Sequence, residues 1–469
     1  MDRLALRIDT RGPAWVGLLI ALCAAAIGVA AGVHPQLGVE AAVAIALVAA
    51  VLANLTLGLC MFTLFSFLDV INAGGDDLSF LKVAGLLLFL SWYAAGATRA
   101  HRRESESGSG SESNSRSLLS SHPGLLAAGA ALVGWSALSL AWAASPGDAA
   151  SASERFLLNL LLLPIVFGAV RRREQLLWVV IAFVAGAALS SAIGLLHTAD
   201  ERLTGTIGDA NEEAAVLVAG LMLAAGLAAG YKRGSPQRMW AALAGVFIFA
   251  GLLGTVSRGG LVASGFALAA GAIFGGRWRR QAFVALLAGA VLVGGYFAVL
   301  APLEARQHFS SSDTTGRADL WKVGWSMFQA HPALGVGAGN FQDASVRYVN
   351  RSGPLTRADL IVDVPHVAHN VYLELLDDLG VPGLLAFLAT AIAAISIAQL
   401  AASRYERAGD TQLELLARLM ILAMIGMLAA DFFISDQFSK QLWLLFALPP
   451  ALLALAPRPA AGGDLIRRG

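Results

Sequence analysis

His369 stands where a polar stretch gives way to an apolar one, in the run His366-Val-Ala-His369-Asn370-Val-Tyr372-Leu-Glu374. A neutral imidazole with the ordinary pKa of about 6.5 can take a proton at neutral pH, the work of a general base. His366 and His369, three residues apart, could share a metal ion, but the sequence offers no evident third ligand. Arginines recur at polar breaks: Arg202-Leu-Thr-Gly-Thr-Ile-Gly-Asp-Ala-Asn211, Thr255-Val-Ser257-Arg258-Gly-Gly, and Thr314-Thr-Gly-Arg317. A guanidinium is a planar fork that binds phosphate oxygens in pairs and stays charged. Gly259 and Gly260 would let a ligand approach the backbone beside Arg258. The plainer alternative for Arg258 is an arginine that snorkels to lipid headgroups. Gly335-Val-Gly337-Ala-Gly339-Asn340 superficially resembles a nucleotide loop. No strand precedes it and no lysine follows, so a turn is expected there.

The elements that must position these groups are membrane helices. Of 469 residues, 57% are hydrophobic and only 14% charged, against roughly 25% charged in soluble domains. Runs such as 13–33, 175–197 and 381–402 are long enough to cross a hydrocarbon core of about 30 Å. Apolar runs between polar breaks predict spans at 14–33, 38–53, 55–70, 79–98, 123–143, 155–170, 175–197, 212–230, 240–256, 260–275, 281–300, 381–402, 413–434 and 441–456. The fold class is therefore all-α polytopic, with 12–14 transmembrane helices; the short pair 38–53 and 55–70 could be re-entrant. The first span follows a basic segment and reads as an uncleaved anchor. Net charge is +1, which gives no electrostatic footprint for nucleic acid. The two cysteines, Cys23 and Cys60, lie in apolar spans and support neither a disulfide framework nor a thiolate metal site.

Lysine and arginine set the orientation. With both termini in the cytoplasm, the inner segments collect 22 of the 33 basic residues, among them Arg171–Arg173, Arg277, Arg279, Arg280, Arg404 and Arg407. Residues 104–117, a Ser/Gly/Glu tract, read as a flexible cytoplasmic linker. Residues 301–369 form one long outer loop, balanced at six basic and six acidic residues, and a loop of that length is usually functional. Within it Trp321, Trp325 and Phe328 share a helical face, suited to the membrane surface or to packing on the loop's other helices. The chain thus divides into an N-terminal bundle at 1–300, an outer loop carrying the chemistry at 301–380, and C-terminal helices with a tail at 381–469. All the polar candidates gather on the outer side.

Taken in order, these motifs resemble the O-antigen ligase/polymerase family of bacterial envelope glycosyltransferases. His369-Asn370, nine residues, then Gly380-Val-Pro-Gly383 is similar to the family's His-Asn…Gly-x-x-Gly signature. Gly316-Arg317…Trp321…His331-Pro332…Gly335-Val-Gly337-Ala-Gly339-Asn340-Phe341 resembles its outer loop. Thr255-Val-Ser257-Arg258 and Gly205…Asn211 resemble its earlier motifs. The resemblance covers residues 200–385 in motifs. It implies a GT-C-like membrane enzyme with a long helical periplasmic loop. Such an enzyme passes a glycan from undecaprenyl diphosphate to an acceptor sugar hydroxyl at the periplasmic face of the inner membrane. The acceptor would be lipid A–core for a ligase, or a second lipid-linked repeat for a polymerase. The absence of a soluble appendage leans toward the ligase.

A diphosphate leaving group develops charge that preorganised cations stabilise. That assigns Arg258 and Arg317 to the diphosphate, Arg202 and Asn211 to supporting contacts, and His369 to the base of an inverting displacement. Asn370 and Glu374 would orient the imidazole or the sugar. No cofactor is implied. Many GT-C enzymes use a metal with an acidic pair in the first outer loop. Here Gly32-Val-His34-Pro-Gln has no acid, although Asp76-Asp77 lie in the second outer loop, so metal independence is expected. A transporter of lipid-linked glycans is the competing class. Mid-span charge is scarce and the polar groups sit at one face, which suits interfacial chemistry better than alternating access.

Overall fold

The computed structural model describes residues 54–68, 84–96, 117–196, 202–310 and 316–457, with isolated helical positions between 25 and 51. The expected spans 14–33 and 38–53 fall largely outside the described residues. So do the linker 104–117, apart from Ser117, and His34, Asp76 and Asp77. The described residues contain no strand, and the protein is an all-α polytopic membrane protein.

Each of the twelve expected spans from residue 55 onward has a helix. The first six are α1 (Leu55–Phe65), α2 (Ala84–Gly96), α3 (Pro123–Leu138), α4 (Pro146–Ala169), α5 (Arg173–Leu196) and α6 (Ala210–Gly230). Then come α7 (Pro236–Gly254), α8 (Arg258–Phe274) and α9 (Arg279–Gly295). After the loop helix α10 (Arg317–Ala330) follow α11 (Val371–Ala408), α12 (Thr411–Ala430) and α13 (Lys440–Leu455). Eight of these, with the flanking turns of α3 and α9, are long and apolar enough to cross a bilayer; α1, α2, α8 and α13 are shorter. Their starts are written in local chemistry. Proline occupies the first helical position of α3, α4 and α7, where a missing N–H costs nothing. Asn54, Asp209, Ser257, Asn370 and Asp410 cap their helices through side-chain oxygens.

Helices α6 and α12 form the buried centre. α7 and α8 pack on them, and α11 is wedged among α3, α12 and α13. Hydrocarbon gives helices no hydrophobic reason to associate, so close packing at small residues does it. A Cβ added at Gly220, Gly260 or Gly426 would come within 2.7 Å of Ala187, Ala214 or Val218 respectively. The helix α9 packs chiefly on α8 and leaves most of its apolar surface outward.

Two boundaries differ from the sequence reading. α4 begins at Pro146 rather than 155, because Ala149 and Ala152 bury themselves although the segment Pro146–Glu154 is too polar to look like a span. α11 begins at Val371, ten residues before the expected 381, and is broken at Gly380 (φ 65°, ψ −170°). The break is fully accounted for in hydrogen bonds. In an unbroken helix the carbonyls of Asp377, Asp378 and Leu379 would accept from residues 381, 382 and 383, and Pro382 has no N–H to give. Instead Val336 N–H donates to Asp377 O (2.8 Å), Gly337 N–H to Asp378 O (2.9 Å) and Trp135 Nε1–H to Leu379 O (2.8 Å). Val381 N–H turns to Pro332 O at 2.9 Å. The Asp378 carboxylate accepts from Gly339 N–H (2.6 Å) and Asn340 N–H (3.1 Å). The glycine-rich segment is therefore a turn that repairs a broken helix, and these N–H groups already have protein acceptors.

The outer loop has a small core of its own: Leu320, Val323, Met327, Val336, Phe341, Ala344, Tyr348, Ile361 and Ala368. Helix α10 buries Leu320, Val323, Gly324 and Met327, at i, i+3, i+4 and i+7. The aromatic stripe lies beside that face. Trp321 packs on the loop core and donates from Nε1 to Ala368 O at 3.0 Å, whereas Trp325 stays exposed.

Candidate active site

Four helix N-termini meet where the sequence placed its polar candidates. They belong to α6 (capped by Asp209), α8 (capped by Ser257), α10 (entered through Gly316, φ 77°) and α11 (capped by Asn370). Each presents the positive end of a helix dipole, a setting that favours anions, while the caps of α6, α8 and α11 take up N–H groups of their first turns. Arg258 and Arg317 are the first helical residues of α8 and α10, so both guanidinium groups start from that same positive rim.

The arginines and the histidine lie close enough that their charges bear on one another. Burial pulls the Arg317 guanidinium below its ordinary value; Asp209 opposes this, and Arg202 and Arg258 add to it. Arg202 is lowered in the same way, by burial first, against Asp209 and with Arg258. Burial, then the Arg317 cation, holds the His369 imidazole down at about 4, with Asp209 pulling the other way and His366 adding a little. At neutral pH His369 is therefore uncharged and able to accept a proton.

The support differs from group to group. Arg202 donates from Nε to Thr255 O (3.0 Å) and from Nη2 to Asn211 Oδ1 (3.0 Å), and that oxygen also accepts from Ser257 Oγ at 3.0 Å. Arg202 and Asn211 thus clamp the 255–258 turn and aim Arg258, which is exposed. The turn holds Val256 at φ 50°, a left-handed conformation that costs a β-branched residue about 1–3 kcal/mol. His369 is in the same region, at φ 49°. The two non-glycine residues with positive φ among the described residues both adjoin the site. Asn370 spends its Oδ1 on the N–H groups of Tyr372 (3.0 Å) and Leu373 (3.1 Å), so its structural role is to cap α11.

Glu374 is buried and accepts from Ala368 N–H (3.2 Å), Gln437 Nε2 (2.8 Å) and Ser435 Oγ. It ties the residue before His369 to the α12–α13 connection and does not point at a ligand. His366 turns its Nδ1 toward the carbonyls of Leu360 (3.0 Å) and Val364. Among the described residues no group of three or more His, Cys, Asp or Glu side chains is arranged to hold a metal ion.

Two acids escaped the sequence reading. Asp209 lies among the three arginines, and its signal was an N-cap residue directly ahead of an apolar helix. Asp431 is buried, with no hydrogen-bond partner on either carboxylate oxygen, and its carbonyl accepts from Val371 N–H (2.9 Å) beneath His369. Burial, then Asp436, pushes its carboxyl well above the usual range. Its signal was an acid near the far end of the expected span 413–434, which also holds Glu414 near its start. The first acid offsets part of the cationic charge, and the second places a buried carboxyl group below it.

Three arginines and a neutral imidazole thus gather at one end of the bundle of a multi-pass helical protein, an arrangement suited to an anionic ligand. Residues 243–388, about a third of the chain, match the sequence model of the O-antigen ligase family. The matched stretch contains Arg258, Arg317, His369, Asn370, Glu374 and the break at Gly380; Arg202 and Asn211 precede it. No curated protein matches the chain.

Proposed function

We propose that this protein is an O-antigen ligase. It moves a polysaccharide from undecaprenyl diphosphate to a sugar hydroxyl of lipid A–core, at the periplasmic face of the inner membrane and with both termini in the cytoplasm. The observation that carries the reading is the meeting of Arg202, Arg258, Arg317 and His369 at four helix N-termini. The family match supports a glycosyltransferase-like membrane enzyme, and the lipid-linked donor follows from that.

In this scheme His369 takes the proton of the acceptor hydroxyl. The acceptor oxygen forms its bond to the anomeric carbon as the bond to the diphosphate oxygen breaks, and configuration inverts. The leaving diphosphate keeps the electron pair, and Arg258 and Arg317 neutralise the charge that grows on it. Arg202 and Asn211 hold Arg258 in place, and Glu374 and Asn370 hold the His369 loop. The donor supplies the energy, so neither ATP nor a metal enters the scheme.

The test is transfer by purified protein in lipid, given undecaprenyl diphosphate-linked glycan and lipid A–core without ATP and with chelator. Wild type should place glycan on lipid A–core, and His369→Ala and Arg258→Lys should not. Lengthened lipid-linked chains in place of that product would make the protein a polymerase. Flipping without transfer would make it a transporter.

A further inference from the structure

A polar cavity lies at the opposite end of the bundle from His369. Its volume is about 580 Å³, and it is bounded by Ser120, Ser121 and His122 ahead of α3, the last turns of α11, and the end of α13. Arg404 is more than twenty residues beyond the Gly380 break, which along a helix is roughly 35 Å. That distance puts the cavity near the other membrane face.

Of the polar groups around it, Ser120 Oγ donates to Ser117 O (3.0 Å) and Ser396 Oγ to Ile392 O (2.7 Å), but two donors are left without acceptors. The buried Arg404 Nε and Ser121 Oγ have no hydrogen-bond partner. α3 starts at Pro123 without a side-chain cap, so the N–H groups of its first turn lack a side-chain acceptor as well. His122 packs edge-on to Phe167, and the charge that bears on it is the Arg404 cation rather than any carboxylate. A guanidinium, an imidazole, a hydroxyl and an uncapped helix start facing one cavity make a site for a phosphate-type anion.

The remaining lining says what the anion is attached to. Ile397, Leu400 and Arg404 form an i, i+3, i+7 face of α11 that runs from the cation toward the membrane interior, and Leu453 and Ala454 oppose it. Leu400 and Leu119 beside the mouth are exposed. A free phosphate has no use for an apolar wall below it, whereas an acyl chain does. We propose that this cavity binds an anionic phospholipid, with its phosphodiester on Arg404, Ser121 and His122 and one acyl chain along Ile397 and Leu400. Lipid bound here braces α3, α11 and α13 to one another at the membrane face away from the arginine site.

Native mass spectrometry of the full-length protein tests this, after delipidation and titration with phosphatidylglycerol, phosphatidylcholine or inorganic phosphate. Wild type should retain one phosphatidylglycerol in preference to phosphatidylcholine and melt at a higher temperature with it. Arg404→Gln should weaken that binding about tenfold, the loss expected for one charged hydrogen-bonding group. His122→Ala, which leaves Arg404 in place, should weaken it less, and Arg280→Gln, an exposed arginine elsewhere, should not weaken it. Equal retention of both lipids, or unchanged phosphatidylglycerol binding in both Arg404→Gln and His122→Ala, would overturn the proposal. Equal stabilisation by inorganic phosphate would overturn the lipid assignment and leave a simple anion site.

Discussion

Removing the Arg317 charge should make His369 easier to protonate. The imidazole sits at about 4 against an ordinary 6.5, with burial as the larger cause and the Arg317 cation next. That gap corresponds to about 3 kcal/mol in favour of the neutral ring. Burial is the larger cause and the Arg317 cation the second, so removing that cation should recover part of the gap and not all of it. A neighbouring cation disfavours imidazolium, so its loss raises the pKa. Arg317→Gln should therefore raise the His369 pKa above about 4, and Arg317→Lys, which keeps the charge, should raise it less. The pKa can be read without any activity, from deuterium exchange at the imidazole C2 position followed by mass spectrometry of the His369 peptide across pH. The same logic predicts that a bound diphosphate, by neutralising the arginines, raises the His369 pKa and so makes it a stronger base when donor is present. An unchanged or lower pKa in Arg317→Gln would refute the claim that these two side chains share one electrostatic site.

Two further outcomes follow from the packing. Gly380→Ala places a Cβ 2.5 Å from Ala333 O in a backbone conformation essentially reserved for glycine, and should cost at least about 1–3 kcal/mol; a melting temperature equal to wild type in the same lipid would contradict the helix-break account. Glu374→Gln keeps the side chain's shape but sets an NH2 group against one of three donors, and should cost about 1–3 kcal/mol while loosening the His369 loop. Amide exchange at Ala368 should speed up accordingly, and undiminished protection there would remove Glu374 from the brace.

The legibility of the site varied with the range of the interaction. Arg258, Arg317 and His369 were readable because each stands at or just before the start of a helix, where a charge or an imidazole stands out in a chain that is 14% charged. Asn370 and Glu374 were readable as polar groups but not as what they do. A cap and a brace are defined by the N–H groups they meet, and Ser435 and Gln437 are over sixty residues from Glu374. The glycine-rich segment could be recognised as a turn, but its purpose could not, because the carbonyls it satisfies belong to a helix broken forty residues later.

What the sequence determined by itself was the solvent and the period. Hydrocarbon offers no water to backbone groups, so twenty-residue apolar runs read as helices, which satisfy most of those groups internally, and their caps and prolines mark the ends. The tertiary structure alone decided which of those ends meet. Bringing the starts of α6, α8, α10 and α11 together joins residues 202, 258, 317 and 369, and only close packing at small residues such as Gly220, Gly260 and Gly426 fixes which helices lie side by side. The strength of the resulting field, which holds His369 neutral, depends on burial and on neighbours distant in the chain, and no local pattern encodes either.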